Sequence, residues 1–237
     1  MASIRETVKS ICANLGIPAK WVLLSIDEFR MIGIRLYAFF SPQSGKIATL
    51  LQQQPVQLIF GCGETRYPGW TGVDCYFGSG ADLVMDLRRP LPFPDQSVDL
   101  CFSEHFLEHL YPDEGLQHLR EVVRVLKPGG VYRIVVPDVV KFFRKYSEGD
   151  AEFFKLAFPW AERPMQALYD VANWGGIHRN ILDFPELQWM ANKAGFAHAV
   201  PSAAGQSANS ALRIDRMEPQ RIAESFYVEL FKAGRRQ

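Results

Sequence analysis

No two cysteines in this chain stand at metal-ligand spacing. Cys12, Cys62, Cys75 and Cys101 are scattered, without a CxxC pattern or a nearby cluster of histidines. That excludes a zinc ribbon and a disulfide framework. An excess of either charge is also missing. Lysine plus arginine and aspartate plus glutamate stand at 26 each, so no overall basic field draws the protein to nucleic acid or anionic lipid. No apolar run reads as a transmembrane segment. The bulky stretch from Trp21 to Phe40 is interrupted by Asp27, Glu28, Arg30 and Arg35. The opening MASIRETVKS has no apolar core of a secretion signal, and a soluble cytoplasmic protein is expected. There is no internal repeat.

Five short signals are present in one order between Val56 and Asp138: LIFGCG, TGVD, LVMDL, VDLCFSEH, and LKPGG followed by YRIVVPD. Each joins an apolar β-type run to glycine, an acid or a small polar group. That is the pattern of a doubly wound α/β sheet whose strand carboxyl ends surround a nucleoside ligand. Strands are expected at Val56 to Phe60, up to Val73-Asp74, at Asp82 to Met85, at Val98 to Phe102 and at Val131 to Val136. The proline-rich stretch from Arg88 to Asp95 reads as loop. A helix with the stripe Leu116, Leu119, Val122, Val123 and Leu126 precedes Lys127-Pro128-Gly129-Gly130, which ends it. Lys127 is expected to face the negative helix end, and glycine to turn left-handed.

Residues 1–54 read as an amino-terminal helical extension, and 55–237 as the main domain. Val22, Ile26, Phe29, Gly33, Leu36 and Phe40 share one helical face. This predicts a helix packed on the domain, a cap over the ligand site, or a membrane-surface or dimer contact. Ser41-Pro42 and Pro55 separate the extension from the sheet. From about 139 to 180 aromatics accumulate around Trp174-Gly175-Gly176, which suits either a substrate-covering lid or a helical extension of the core. Asp183, Pro185 and Glu186 start a helix that ends at Gly195. Phe196 to Val200 and Ser225 to Phe231 look like a final pair of strands, joined through SAAGQSANS as a mobile loop.

Gly61-Cys62-Gly63 after the first strand lets the backbone approach a ligand closely. Asp74 can accept hydrogen bonds from ribose hydroxyls, and Asp86 can accept one from an adenine amine. A nicotinamide dinucleotide needs a third glycine three residues on, where Arg66 stands. YxxxK and GxxxxGK[ST] are both absent. A ligand with adenosine but no phosphates fits best.

In GCG, PGWTGVD, DLRRPLPFPDQSVD, SEHFLEHL, RVLKPGG and RIVVPD, the chain resembles Rossmann-like (class I) S-adenosylmethionine-dependent methyltransferases. It is most similar to predicted methyltransferases associated with bacterial surface-glycan genes. The resemblance covers about Val56 to Lys232, with ESFYVELFK similar to the family's last strand. It implies a mostly parallel seven-stranded sheet with an antiparallel last strand, and S-adenosyl-L-methionine as cofactor. It also implies contacts from Gly61, Cys62 and Gly63 to the methionine moiety and ribose, from Asp74 to the ribose hydroxyls and from Asp86 with Leu87 to adenine. Ser103, Glu104 and His105 would line the methionine end. Glu108 and His109, a helical turn on, read either as a buried polar pair fixing that turn or as catalytic.

Two departures from the family pattern stand out. Ile59 and Thr65 replace an acid and a glycine, and the step from Gly63 to Asp74 leaves no room for the usual helix. Arg66, Tyr67 and Trp70 become candidates to cover that side, with Arg66 pairing with the methionine carboxylate. His105, His178 and Asp138 are the candidate bases for a hydroxyl acceptor. The function expected is O-methylation of a saccharide or glycan precursor. A small-molecule methyltransferase of secondary metabolism and a catalytically idle cofactor-binding protein are the alternatives.

Overall fold

The structure is a computed structural model that describes residues 2–41, 43–77 and 80–234, with the side chains of 2–6 and 20 excepted. Pro42, one of the expected separators, lies outside the described residues. The amino-terminal segment forms α1 (Ala2–Asn14), α2 (Ala19–Phe40) and α3 (Gln43–Leu50). The sheet begins with β1 (Gln57–Phe60), β2 (Thr71–Asp74), β3 (Leu83–Val84) and β4 (Val98–Glu104). Next come α4 (Pro112–Val125), β5 (Leu126–Pro137), α5 (Val139–Ser147), α6 (Ala151–Ala157) and α7 (Pro164–Asn173). The chain closes with α8 (Phe184–Ala194), β6 (His198–Ser202), α9 (Pro219–Glu224) and β7 (Ser225–Phe231).

The sheet order is β3-β2-β1-β4-β5-β7-β6. β1 through β5 run parallel, and β7 is antiparallel to both of its neighbours. This is the expected Rossmann-like, seven-stranded sheet with an antiparallel last strand. The order reverses between β1 and β4, so their carboxyl ends open a crevice there. Leu58, Phe60, Cys101, Tyr132 and Ile134 face one layer of the core with Leu119 and Val122 of α4. Ile59, Phe102 and Val135, on the alternate positions, face the other.

As expected, β1 and β2 are joined without a helix. Tyr67 and Trp70 of the connecting loop lie with ring centroids 6.1 and 6.4 Å from that of Phe102. They pack there beside Ala204 and Ile214, so a short loop and a distant segment do the covering that a crossover helix would do. The segment 202–210, expected to be mobile, is held by the side chain of Arg133. The guanidinium donates to Ser202 Oγ at 3.1 Å, Ala203 O at 2.9 Å and Gln206 O at 3.0 Å. Buried donors require acceptors, and this loop supplies them as backbone carbonyls.

Three further expectations need correction. Lys127 does not cap α4. Its ammonium pairs with Asp99 at 2.7 Å, and Lys232 donates to the carbonyls of Val123 and Leu126, both at 2.6 Å. Only the left-handed glycine at the turn follows expectation, with Gly129 at φ 79°. The apolar face on α2 is not the one that packs. Ile26, Phe29, Leu36 and Phe40 are exposed, whereas Met31 and Ile34 are buried and Asp27 and Arg30 lie toward the crevice. Charged pairs with the sheet end orient this helix, as shown below. β6 lies at His198–Ser202, two residues beyond the expected span, because its pairing with β7 sets His198 opposite Phe231.

α8 starts and stops as read. Asp183 accepts from the backbone N–H of Glu186 at 2.8 Å, and Gly195 ends it at φ 107°. Between β5 and α8, the three helices α5, α6 and α7 bury their own cluster, centred on Phe142, Phe154, Phe158 and Leu168.

Candidate active site

Two cavities meet at the carboxyl end of β4. The first, of about 270 Å³, is lined by Gly61, Gly63, Asp74, Tyr76, Leu87, His105 and Phe106 on the sheet side. Asp27, Glu28, Arg30 and Met31 of α2 form its other wall, so the amino-terminal helix caps the crevice. The second, of about 210 Å³, lies toward α7 and is walled by Phe158, Trp160, Trp174, His178, Arg221 and Glu224. His105 and His109 line both.

The glycines at the end of β1 have different reasons to be glycine. Gly61 has φ 66°, and a Cβ there would meet the Phe106 ring at 2.7 Å. Its close approach is to protein. Gly63, at φ 55°, has nothing within 4 Å of such a Cβ, so it presents open backbone to the crevice. Asp74 sits beside it. One carboxylate oxygen accepts from Gly63 N at 2.8 Å and the other from Cys75 N at 2.6 Å. A carboxylate held in this way beside the open backbone of Gly63 can accept from vicinal ribose hydroxyls. An adenosyl cofactor fits this part of the crevice.

Asp86 lines the first cavity, as expected, but its oxygens are engaged by protein donors. One of its oxygens accepts from Arg88 N at 3.1 Å and Arg88 Nε at 2.9 Å. The other accepts from Arg35 Nε at 2.8 Å and lies 3.2 Å from an Arg88 amino group. Burial disfavours its charge, but the hydrogen bonds from Arg88 and Arg35 outweigh that and hold the carboxyl below its usual range. No lone pair is left for an adenine amine. Arg88 also reaches Glu28 at 2.7 Å, so Asp86, Arg35, Arg88 and Glu28 clasp α2 to the sheet. Leu87 lines the crevice with its side chain in the core.

Four other candidates lie away from the first cavity. Cys62 points to the opposite face of the sheet, against Gly72, and burial pushes its thiol up to about 12. Arg66 is largely exposed and lies 3.5 Å from Asp82. The arginines that do line the crevice are Arg30, Arg88 and Arg179. Ser103 is fully buried with its hydroxyl 2.8 Å from Tyr132 Oη. Glu104 accepts from Arg216 N at 3.1 Å and pairs with Arg221 at 3.3 Å. Alternation along β4 explains the last two, since consecutive side chains point to opposite faces.

Among the candidate bases, Asp138 is a helix cap. It accepts from Lys141 N at 2.9 Å at the start of α5, and it lines neither cavity. His105 is where expected, at φ 51°, but both ring nitrogens are engaged. An Arg221 amino group lies 2.9 Å from Nδ1, and Ser225 Oγ lies 2.8 Å from Nε2. Burial, then the Arg221 charge, keeps its pKa well below the ordinary value. His178 donates from Nδ1 to Val171 O at 2.8 Å, which leaves Nε2 uncommitted. Its ring stacks on Trp174 at 6.0 Å and meets the His109 ring at 5.1 Å.

Glu108 is the least ordinary group. It is 2 % exposed, and neither carboxylate oxygen has a hydrogen-bond partner among the described residues. Burial pushes its carboxyl up to about 8. His105 Nδ1 lies 3.5 Å from one oxygen, but a neutral imidazole that accepts from Arg221 makes no ion pair there. The main-chain carbonyl of Glu108 accepts from Arg179 N at 2.8 Å and Asn180 N at 3.1 Å. That fixes the segment carrying His178 beside it. A cap by α2 was among the expectations, whereas the contribution of Arg179 was not readable from local motifs, because it arrives from distant sequence.

Comparison with known proteins agrees with this geometry. Residues 75–134 match the family model described as a methyltransferase domain. A protein of Mycolicibacterium smegmatis described as a probable S-adenosylmethionine-dependent methyltransferase is 40% identical over 98 residues, covering 29% of this chain and 37% of that one. A ubiquinone/menaquinone biosynthesis C-methyltransferase of Xanthomonas oryzae is 39% identical over 77 residues, with 32% and 26% covered. The chain thus spans about a third or less of the length of these relatives. A SAM-dependent methyltransferase structure from Thermotoga maritima superposes with a TM-score of 0.48 at 16% identity, covering 87% of this chain and 95% of that one. Residues 75–134 are thus similar to a methyltransferase domain, and the strand order is that of a Rossmann-like sheet. No described helix is long and apolar enough to cross a membrane.

Proposed function

We propose that this chain transfers a methyl group from S-adenosylmethionine to a hydroxyl of an acceptor held in the second cavity. The observation carrying this reading is the shared wall: His105 and His109 border both the adenosyl crevice and the aromatic cavity. When bound, the cofactor supplies an already activated methyl, so aligning the acceptor provides much of the rate. Asp74 and the open backbone at Gly63 hold the ribose end. Trp160, Trp174 and Phe158 offer flat apolar surfaces suited to a sugar ring or an aromatic ring, with α5 to α7 serving as the lid. His178 Nε2 is the acceptor-side base. Its pKa is lowered by burial, which keeps it neutral and able to take a proton near pH 7.

A saccharide acceptor is the preferred reading, supported by the stacking surfaces of Trp160 and Trp174. C-methylation of an aromatic acceptor is the second, favoured by the same tryptophans and by the name of one relative, a ubiquinone/menaquinone biosynthesis C-methyltransferase. Calorimetry with S-adenosylhomocysteine, followed by an acceptor screen that detects its release, tests both. Wild type is expected to bind it, and Asp74→Asn about 10-fold or more weakly, since hydrogen bonds to a charged group contribute about 1.5–3 kcal/mol. His178→Ala is expected to keep binding and to lose about 10²–10⁴ in turnover on a hydroxyl acceptor. No binding by wild type would point instead to an idle fold. Full turnover in His178→Ala would remove the assigned base.

A further inference from the structure

We infer that Glu108, His109 and His178 form a binding site for a divalent first-row transition-metal ion at the floor of the acceptor cavity. One ligand atom from each of the three lies within 4.8 Å of the other two. All three side chains line the same cavity. Two imidazoles and one carboxylate are a donor set used by zinc and other first-row ions, with further coordination positions left for water or substrate. An ion that holds each donor at about 2.0–2.2 Å needs the donors roughly 3–4 Å apart.

Two further observations point the same way. The first is the carboxylate of Glu108, buried to 2 % exposure with both oxygens lacking a donor. Buried carboxylates are ordinarily hydrogen-bonded, paired or coordinated to a metal. Arg221, the nearest guanidinium in the cavity wall, is already committed to Glu224 at 2.7 Å, Glu104 at 3.3 Å and His105 at 2.9 Å. The second is how the histidines are held. His178 donates Nδ1–H to Val171 O at 2.8 Å, and His109 Nδ1 faces Ile177 O at 3.4 Å. A metal-binding histidine almost always gives its other ring N–H to such a partner, which fixes the tautomer and presents Nε2. The backbone hydrogen bonds from Arg179 and Asn180 to Glu108 O hold the two halves of the set together.

With the ion in place, His178 acts as a ligand rather than as a free base. Coordination of the acceptor oxygen would lower the pKa of its hydroxyl, and water in the cavity would take the proton in place of His178. The site stands on its three side chains and not on the methyl-transfer reading. The test uses the full chain, stripped with a chelator and dialysed, then titrated with Zn²⁺ by calorimetry and with Co²⁺ by visible absorption. S-adenosylhomocysteine binding is measured on the same samples, so failure of the cofactor reading shows separately.

The expected result is one ion per chain, with Co²⁺ absorption stronger than that of the aqueous ion. Loss of a partner behind a ligand costs roughly 10–100-fold in affinity, so loss of a ligand in Glu108→Gln or His178→Asn is expected to cost at least that. The surface control His198→Ala should change nothing. Absence of stoichiometric Zn²⁺ binding with an aqueous-type Co²⁺ spectrum in wild type would overturn the assignment, whatever the variants do. So would wild-type affinity in both ligand variants.

Discussion

Two buried ionisable side chains in this molecule are treated in opposite ways. Arg133, on β5, is fully buried and completely satisfied. Asp215 takes two of its N–H groups at 2.7 and 2.6 Å, Glu229 lies at 3.2 Å, and Ser202, Ala203 and Gln206 accept the rest. Glu108, just past β4, is as deeply buried and has no hydrogen-bond partner among the described residues. The first network is closed and joins β5, β7 and the 202–215 segment. The second is open, and it opens onto a cavity. A satisfied buried group organises its surroundings, whereas an unsatisfied one marks where something from outside is received.

Breaking the closed network should produce the largest effect. Arg133→Met leaves Asp215 and Glu229 buried without their cation, and a loss of about 3–5 kcal/mol is expected in urea unfolding at pH 7. A loss below about 1 kcal/mol would show that the network carries little stability.

His118 provides an intermediate case, a buried group that is neutral and satisfied. Burial lowers its pKa to about 4, while Nδ1 lies 3.2 Å from Leu87 O. A histidine whose pKa is depressed on folding contributes stability that is present above its unfolded value, near 6.5, and lost as pH falls through about 4. At about 1.4 kcal/mol per pH unit the loss approaches about 3 kcal/mol. Unfolding free energies at pH 7, 5.5 and 4 should therefore fall more steeply in wild type than in His118→Gln. Equal slopes would refute the assignment.

The smallest effect on stability is expected at the open site. Glu108→Gln removes no hydrogen bond, so its unfolding free energy at pH 7 should lie within about 1 kcal/mol of wild type. A cost matching that of Arg133→Met would mean that Glu108 is structural after all, and the contrast between the two sites would collapse.

Much of this arrangement was readable from the sequence, and what was missed has a physical pattern. Strand ends, the left-handed Gly129, the Asp183 cap and the position of Asp74 depend on neighbours within a few residues. The partners of Lys127 and of the 202–210 loop, and Arg35 beside Asp86, were not readable because each lies far along the chain. Arg35 reaches Asp86 across 51 residues, and Arg133 reaches Gln206 across 73. The stripe on α2 is left exposed for a related reason. Apolar periodicity identified a helical face, but ion pairs at the crevice rim selected the face that docks. Glu108 and His109 were visible as a pair in LEHL, whereas the approach of His178 depended on the return of the chain to the carbonyl of Glu108.

That return also sets how the insertion is held. The insertion carrying α5 to α7 leaves the sheet at the Asp138 cap and rejoins it at the main-chain carbonyl of Glu108, and it buries its own aromatic cluster between those points. Neither anchor depends on which side chains the inserted helices present to the cavity. Lys141 adds a third attachment, donating to the carbonyls of Ala223 and Ser225, so the insertion is moored to the sheet end through main-chain atoms while its aromatic side chains face the cavity.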